Sequence, residues 1–233
     1  GKLNTAITEF DQIREIWDNT DISYKSKTLA GSKLFALPKK GFSFDQSLKG
    51  KLMQQLEAVA KMIQLNANQA LQEKSNNRQV YMVTLGGFDT HADQNTRHPA
   101  LLRELSLAIE SFQLALNEVG LAKNVRTFTS SEFNRTLSIN GDGTDHAWGG
   151  HQWVFGEGLT ETSIGDLPSY ELGGTDDFGK KGRFIPSLSQ DQTHASLCKW
   201  FGAETDQLNS LFPHLNNFSN NGSLEKALLT SLT

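Results

Sequence analysis

Carboxylate and imidazole side chains that could bind a metal ion occur in three short segments between residues 89 and 146. These side chains are Asp89, His91, Glu132, Asp145 and His146. Mixed carboxylate and imidazole ligands suit zinc, manganese or iron, and two such ions can hold a phosphoryl or sulfuryl group between them. The pattern therefore predicts a site for a divalent metal, zinc or manganese, and metal-assisted hydrolysis of an anionic ester.

Each of these signals also has a purely structural interpretation. Asp89-Thr90-His91 follows Gly86-Gly87, and this arrangement is more often an Asx turn or a helix N-cap than a ligand pair. Glu132 could be a carboxylate that the helix dipole favours at a helix start. The ligand interpretation depends on all of these residues meeting at one place.

The sequence offers one candidate for substrate binding and no convincing nucleophile. Arg135 is a plausible clamp for an anion, although an arginine on a helix surface is the common alternative. The chain has neither a Gly-x-Ser-x-Gly elbow nor a phosphate-binding Gly-x-x-x-x-Gly-Lys-Ser/Thr loop. Its single cysteine, Cys198, lies in a predicted helix and is interpreted as a buried thiol. The catalytic residue stays unassigned.

A βαβ unit would position the candidate ligands. Val80–Leu85 reads as a buried strand, a helix follows from Pro99 to Gly120, and Val125–Thr129 reads as a second strand. The crossover should be right-handed with parallel strands. Ligands of open parallel sheets bind beyond the carboxyl ends of the strands, so Asp89, His91 and Glu132 are expected at one edge.

The rest of the chain extends this α/β organisation into one domain over residues 1–233. Leucines and isoleucines at helical spacing predict helices near Leu3–Trp17 and Leu48–Leu71. Residues 138–182 hold 11 of the 20 glycines and are predicted to be a Gly-rich loop insertion with at most short strands. A last clear helix is expected at Gln192–Phe201, capped by Ser189 or Asp191, with a shorter one near Asp206–Leu211.

Composition excludes several classes of protein. The net charge of −4 argues against a nucleic-acid binder, and the absence of an 18-residue apolar run argues against a membrane span. A single cysteine cannot form an internal disulfide, so the cysteine content does not indicate whether the protein functions in a reducing or an oxidising compartment. The opening Gly1-Lys2-Leu3 shows no targeting signal, and we expect the natural chain to have an N-terminal remainder.

Several motifs, taken together, resemble those of a bacterial family. They are Gly-Gly-Phe-Asp-Thr-His at 86–91, Ser-Glu-Phe-Asn-Arg-Thr at 131–136, Gly-Thr-Asp-His-Ala at 143–147, and a tail that starts with Gly-Arg-Phe-Ile-Pro-Ser at 182–187. The chain resembles a family of uncharacterised, Tat-exported proteins that is known only as a domain of unknown function. That family is grouped with the alkaline phosphatase and sulfatase superfamily.

The resemblance implies a three-layer α/β/α fold with a mostly parallel sheet, a two-metal centre and a periplasmic or exported protein. Asp89 and His91 would match the first ligand pair, Glu132 the carboxylate after the second strand, and Asp145-His146 the later ligands. The superfamily takes its nucleophile and one bridging carboxylate from an N-terminal segment, which does not precede residue 80 here, so the fold is expected to be incomplete at the N-terminus. The superfamily's usual Asp-His pair is replaced by Glu132-Phe133.

Two functions follow from these observations. The first is a metal-dependent hydrolase acting on a small phosphate or sulfate ester, with Arg135 holding the anion. The second is a non-catalytic binding or scaffold module on the same fold, which the lack of a nucleophile favours.

Overall fold

The computed structural model describes residues 50–67, 78–159 and 163–218. The chain divides into two compact units, one made of residues 1–89 and 96–124 and the other of residues 90–95 and 125–233. The helix predicted at Leu3–Trp17 lies outside the described residues.

Two helices build the core of the first unit. Helix α1 spans Lys51–Ala67 and helix α2 spans Gln94–Glu118. Their buried side chains recur every three or four residues, as expected for helices with one apolar face; they are Leu52, Met53, Leu56, Val59 and Ala60 in α1 and Ala108, Ile109, Phe112, Ala115 and Leu116 in α2. The predicted core residues that are buried are Leu52, Leu56, Val59, Ile109, Phe112 and Leu116. Leu102 was predicted on the same face of α2 but is 38% exposed, and α2 begins at Gln94 rather than at Pro99.

The segment Val80–Leu85 does not form the predicted strand. It has no regular secondary structure, and Val80 and Met82 are 81% and 89% exposed. A strand needs a neighbouring strand to pair with its backbone, and none of the strands in the described residues pairs with this segment. Instead, the backbone of Thr84 forms hydrogen bonds of 2.9 and 2.8 Å with the side chain of Gln55.

The second unit contains two small antiparallel sheets. Strand β2, Asn134–Asn140, and strand β3, Gly143–Ala147, form a hairpin, with Arg135 opposite His146 and Asn140 opposite Gly143. Strand β1, Thr127–Phe128, pairs with strand β4, Val154–Phe155. The hairpin thus extends into the first part of the 138–182 segment, where only short strands were expected.

The parallel sheet of the βαβ prediction does not occur in the described residues. Both sheets there have two strands, and both pairs run antiparallel. Strands β2 and β3 are joined by only Gly141-Asp142, and a two-residue connection can join only antiparallel neighbours. The three-layer α/β/α fold is not tested by these two small sheets and stays a prediction.

Helix α3, Gln190–Trp200, and helix α4, Thr205–Leu211, complete the second unit. Ser189 caps α3 and exchanges hydrogen bonds with Gln192, which forms a capping box. Both helices confirm the sequence prediction to within two residues, and Ser189 is the capping residue. Every helix in the described residues is too short or too polar to cross a lipid bilayer.

Candidate metal centre

The turn of the β2–β3 hairpin packs directly against the backbone of residues 90–94. Thr144 N–H donates to the Thr90 carbonyl at 3.2 Å, and Gln94 N–H donates to the Asp142 carbonyl at 3.1 Å. A Cβ at Gly143 would overlap the backbone of His91 and the carbonyl of Thr90. Because glycine has no Cβ, the two segments can approach closely enough to bring His91 beside strand β3.

His91 and His146 face each other through the same ring nitrogen. Their Nε2 atoms are 3.2 Å apart, and their rings are tilted by 35° with centroids 5.0 Å apart. Asp89, two residues before His91, completes a group of three possible ligands whose ligand atoms all lie within 4.8 Å of one another. All three side chains are exposed, so an ion and a substrate could reach them from solvent.

The spacing of the two imidazole nitrogens suits one transition-metal ion. Zn–N bonds of about 2.0–2.1 Å in a tetrahedral site place two ligand nitrogens about 3.3 Å apart. The observed separation of 3.2 Å is close to that edge of the tetrahedron. A set of three protein ligands with an open fourth position is also the arrangement found in catalytic zinc sites.

Two contacts position His146. The ring of Phe133 stacks on the imidazole, with centroids 4.1 Å apart and an interplanar angle of 5°. Arg183 Nε donates to the His146 carbonyl at 3.4 Å. Sequence reasoning missed both neighbours, although Phe133 belongs to the Ser-Glu-Phe-Asn-Arg-Thr motif and Arg183 to the Gly-Arg-Phe-Ile-Pro-Ser motif.

Asp145 lies beside the three-residue group and not in it. Its Oδ1 accepts a hydrogen bond of 2.8 Å from Asn140 Nδ2 and lies 4.0 Å from His91 Nδ1. The hydrogen bond from Asn140 is the main cause that lowers the pKa of Asp145; burial opposes it, and the nearby side chains of Lys181, His91 and Arg183 add to it. The carboxylate therefore faces the nitrogen of His91 that points away from His146.

The structure places the other two predicted site residues elsewhere. Glu132 is exposed in the loop before β2 and does not belong to the group formed by Asp89, His91 and His146. Arg135 reaches across the hairpin, where its Nε donates to Thr144 Oγ1 at 3.0 Å and a terminal nitrogen donates to the Thr144 carbonyl. Its guanidinium also lies over the Phe133 ring at 5.8 Å.

The residues of this centre lie within a region that matches a known family model. The match covers residues 47–209, which is more than half of the chain, and the family is described as "Protein of unknown function (DUF1501)". The chain belongs to the DUF1501 family. No curated protein and no solved structure shows significant similarity to it.

A buried aspartate in this DUF1501 chain holds the loop that carries Arg183. Asp177 is 8% exposed and accepts hydrogen bonds of 2.9–3.0 Å from the backbone N–H groups of Gly173, Gly182 and Arg183. Burial alone would raise the pKa of Asp177, but these backbone donors outweigh it and the pKa is lowered. The ionised carboxylate thus orders the segment from Gly173 to Arg183.

Proposed function

We propose that this DUF1501 protein is a metal-dependent hydrolase of phosphate or sulfate esters. Asp89, His91 and His146 would hold one zinc or manganese ion. The observation that carries the proposal is the pair of facing Nε2 atoms, 3.2 Å apart, with a carboxylate within reach and solvent access. The motifs that resemble the alkaline phosphatase and sulfatase superfamily support the choice of ester.

The proposal takes one ion and three ligands, in place of the two ions and five ligands expected from the sequence. Among the described residues only Asp89, His91 and His146 form a group of possible ligands. A divalent ion in this position would polarise the ester and lower the pKa of an attacking water.

The chain's own residues would orient the ligands. A carboxylate facing Nδ1 of a histidine favours the tautomer that keeps its proton on that nitrogen, which leaves Nε2 with a lone pair for the ion. Asp145 is placed to do this for His91. The stacked ring of Phe133 restricts rotation of the His146 imidazole.

Tat export to the periplasm is part of the same proposal, and the motifs of the resemblance support it. Cell fractionation of the natural host with an antibody against the protein tests this part. We expect the protein in the periplasmic fraction, and recovery in the cytoplasmic fraction alone would contradict export.

Metal analysis is the first experiment. The purified protein is incubated with zinc or manganese, freed of excess metal on a desalting column, and measured by plasma emission spectrometry. We expect about one ion per chain, which the double variant His91→Ala/His146→Ala loses. His214→Ala, an exposed histidine outside the group, is the matched control and should retain the ion. Full metal retention by the double variant would refute the site.

Hydrolysis of aryl phosphates and aryl sulfates is the second experiment. The rate with metal should rise in proportion to bound ion and should vanish in the double variant. Folding of each variant is checked by circular dichroism, so that a loss of rate is separated from a loss of structure.

A non-catalytic binding module is the second candidate function. It is favoured by Thr90, the hydroxyl residue between the ligands Asp89 and His91, because its side chain is fully buried at 0% exposure and so is withheld from a substrate. Stoichiometric metal binding without cleavage of any ester would favour this candidate over the hydrolase.

A further inference from the structure

Two exposed aromatic rings stack on each other just beyond the end of the strand that carries the candidate ligand His146. The rings of Trp148 and Phe178 stack with centroids 4.9 Å apart and an angle of 25°, although the residues are 60% and 55% exposed. His146 and Trp148 are exposed, whereas Ala147 between them is 4% exposed. Trp148 directly follows strand β3 and stands two residues after His146, so its exposed side chain lies at the end of the strand that carries the candidate ligand.

The cation Arg183 contacts the same ligand, and a second cation, Lys181, precedes it by two residues in the chain. Arg183 Nε donates to the His146 carbonyl at 3.4 Å, and the exposed Lys181 is anchored by a 3.0 Å hydrogen bond from Ser138 N–H to its carbonyl. Within the part of the chain that the structure describes, the bond to His146 is the one hydrogen bond of the Arg183 side chain. The two terminal NH₂ groups of Arg183 therefore have donors available for an anion.

Backbone contacts tie the rings and the cations together. Phe178 N–H donates to the Arg183 carbonyl at 3.0 Å, and Gly149 N–H, next to Trp148, donates to the Phe184 carbonyl at 3.0 Å. Asp177 holds the backbone of Arg183 in turn. The aromatic pair, Arg183 and His146 thus form one connected surface of the second unit.

Arg135, the anion-binding residue predicted from the sequence, differs from Arg183 in how its guanidinium is engaged by the protein. Its guanidinium bonds twice to Thr144 and lies over Phe133. These contacts brace the β2–β3 hairpin and direct the donors of Arg135 into the protein.

We propose that the ligand of this site is an aryl phosphate or aryl sulfate, whose anion is bound by Arg183 and Lys181 and whose ring lies on Trp148 and Phe178. This inference rests on the proposed hydrolase function and specifies its substrate. The planar guanidinium of Arg183 matches the oxygens of a phosphoryl or sulfuryl group. An aromatic ring of the ligand gains stacking energy on the exposed rings, which an alkyl group would not.

The test compares phenylphosphonate with methylphosphonate, two anions that the protein cannot hydrolyse. Calorimetric titration of the zinc-loaded protein should show tighter binding of phenylphosphonate, by about tenfold, which corresponds to about 1.4 kcal/mol. Trp148→Ala should abolish this preference. Trp153→Ala, which removes an exposed tryptophan outside the pair, should retain it.

The anion-binding part is tested with Arg183→Met. The variant should bind both phosphonates at least tenfold more weakly than the wild-type protein when the two are compared at equal amounts of bound zinc. Lys199→Met is the matched control, because it removes one positive charge from an exposed position of helix α3. Arg183→Lys keeps the positive charge but loses the planar guanidinium, and its affinity for the phosphonates should lie between those of the wild-type protein and Arg183→Met. Should Arg183→Met fold poorly by circular dichroism, Arg183→Lys and Lys181→Met carry the same test.

The outcomes separate this inference from the proposed function. Equal affinities in Arg183→Met and Lys199→Met, or equal affinities of the two phosphonates for the wild-type protein, would overturn the ligand assignment even when zinc binds as expected. Failure of the wild-type protein to bind zinc would overturn the hydrolase. Titration of the metal-free protein would then still show whether Arg183 and the aromatic pair bind an aryl anion.

Discussion

Both nitrogens of the His91 imidazole ring have a neighbouring side chain. Nε2 faces His146 Nε2 at 3.2 Å, and Nδ1 faces the Asp145 carboxylate at 4.0 Å. A histidine whose outer nitrogen faces a carboxylate is typical of metal sites, because the carboxylate fixes the ring and makes the inner nitrogen a better ligand. Asp145 is therefore expected to act on the metal through His91.

Asp145→Asn tests this indirect role. The amide keeps the size of the side chain and removes the charge that orients His91. We expect the affinity for zinc to fall by about tenfold or more, with one ion still bound at saturation. Competition with a chromogenic chelator measures the affinity. Asp142→Asn, an exposed aspartate in the hairpin turn, is the control and should bind zinc like the wild-type protein.

Asp177 predicts a pH dependence of stability. Its pKa in the folded state is lowered, because the backbone N–H donors outweigh burial. An unfolded aspartate has a pKa of about 3.9. The contribution of Asp177 to stability is therefore fully present above that value, and it is lost as the pH falls through the lower pKa of the folded state.

Thermal unfolding between neutral pH and about pH 3 measures this contribution. The wild-type protein should lose stability steeply below about pH 4. Asp177→Asn should be less stable at neutral pH and should show a shallower loss in the same window. Asp166→Asn, an exposed aspartate, should follow the wild-type curve. Parallel curves for the wild type and Asp177→Asn would show that Asp177 does not stabilise the loop.

The β2–β3 hairpin is the element that brings the two histidines together. His146 lies on β3, and His91 reaches it because the turn packs on the backbone of residues 90–94. Gly143 is required at this contact for steric reasons, since an added Cβ would overlap the His91 backbone. The hairpin must move away if any other residue replaces Gly143.

Gly143→Ala tests the contact. Overlap with backbone atoms cannot be relieved by a rotamer change, so we expect a loss of about 1–3 kcal/mol in the free energy of unfolding. Zinc affinity should fall as well, because His146 moves with the hairpin. Gly86→Ala is the matched control, as its added methyl group would meet nothing within 4 Å. Chemical denaturation compares the two, and equal stabilities would contradict the close approach.

Helices and strands differed in how well the sequence predicted them. Helix α3 could be predicted, with Ser189 and Asp191 as its two candidate caps, because capping and apolar spacing are local properties. Val80–Leu85 has strong β propensity but forms no strand, since a strand also depends on a distant partner for its backbone. The β2–β3 hairpin was not predicted, because its segment is rich in glycine and polar residues, and such a composition is typical of a loop.

At the scale of the whole molecule, metal binding is expected to raise thermal stability. A ligand that binds only the folded state at 100 times its dissociation constant stabilises it by about 2.7 kcal/mol. For a chain of this size, each kcal/mol raises the melting temperature by about 2–4 °C, so zinc should raise it by about 5–10 °C. Differential scanning calorimetry with zinc and then with excess chelator measures the shift. His91→Ala/His146→Ala should show no shift, and an equal shift in that variant would place the metal elsewhere.

Charge also differs between the whole molecule and the site. The net charge is −4, yet Lys181 and Arg183 lie close enough to Asp145 to lower its pKa. From the composition we expect no polyanionic partner such as nucleic acid, and under the proposed function we expect Lys181 and Arg183 to bind one small anionic group.

The sequence by itself determined the family, the main helices with their buried faces, and the three segments that hold possible ligands. These depend on local spacing and residue type, which can be read along the chain. Only the tertiary structure decided that His91 and His146 meet with Asp89 in reach. It also decided that Asp145 faces the outer nitrogen of His91. Finally, it decided that Arg183, and not Arg135 as expected, has donors available for an anion. Residues 55 positions apart meet through the packing of a glycine turn on a backbone segment, and the direction of an arginine depends on which acceptors its neighbours leave open. Neither property is contained in the spacing of residues along a chain.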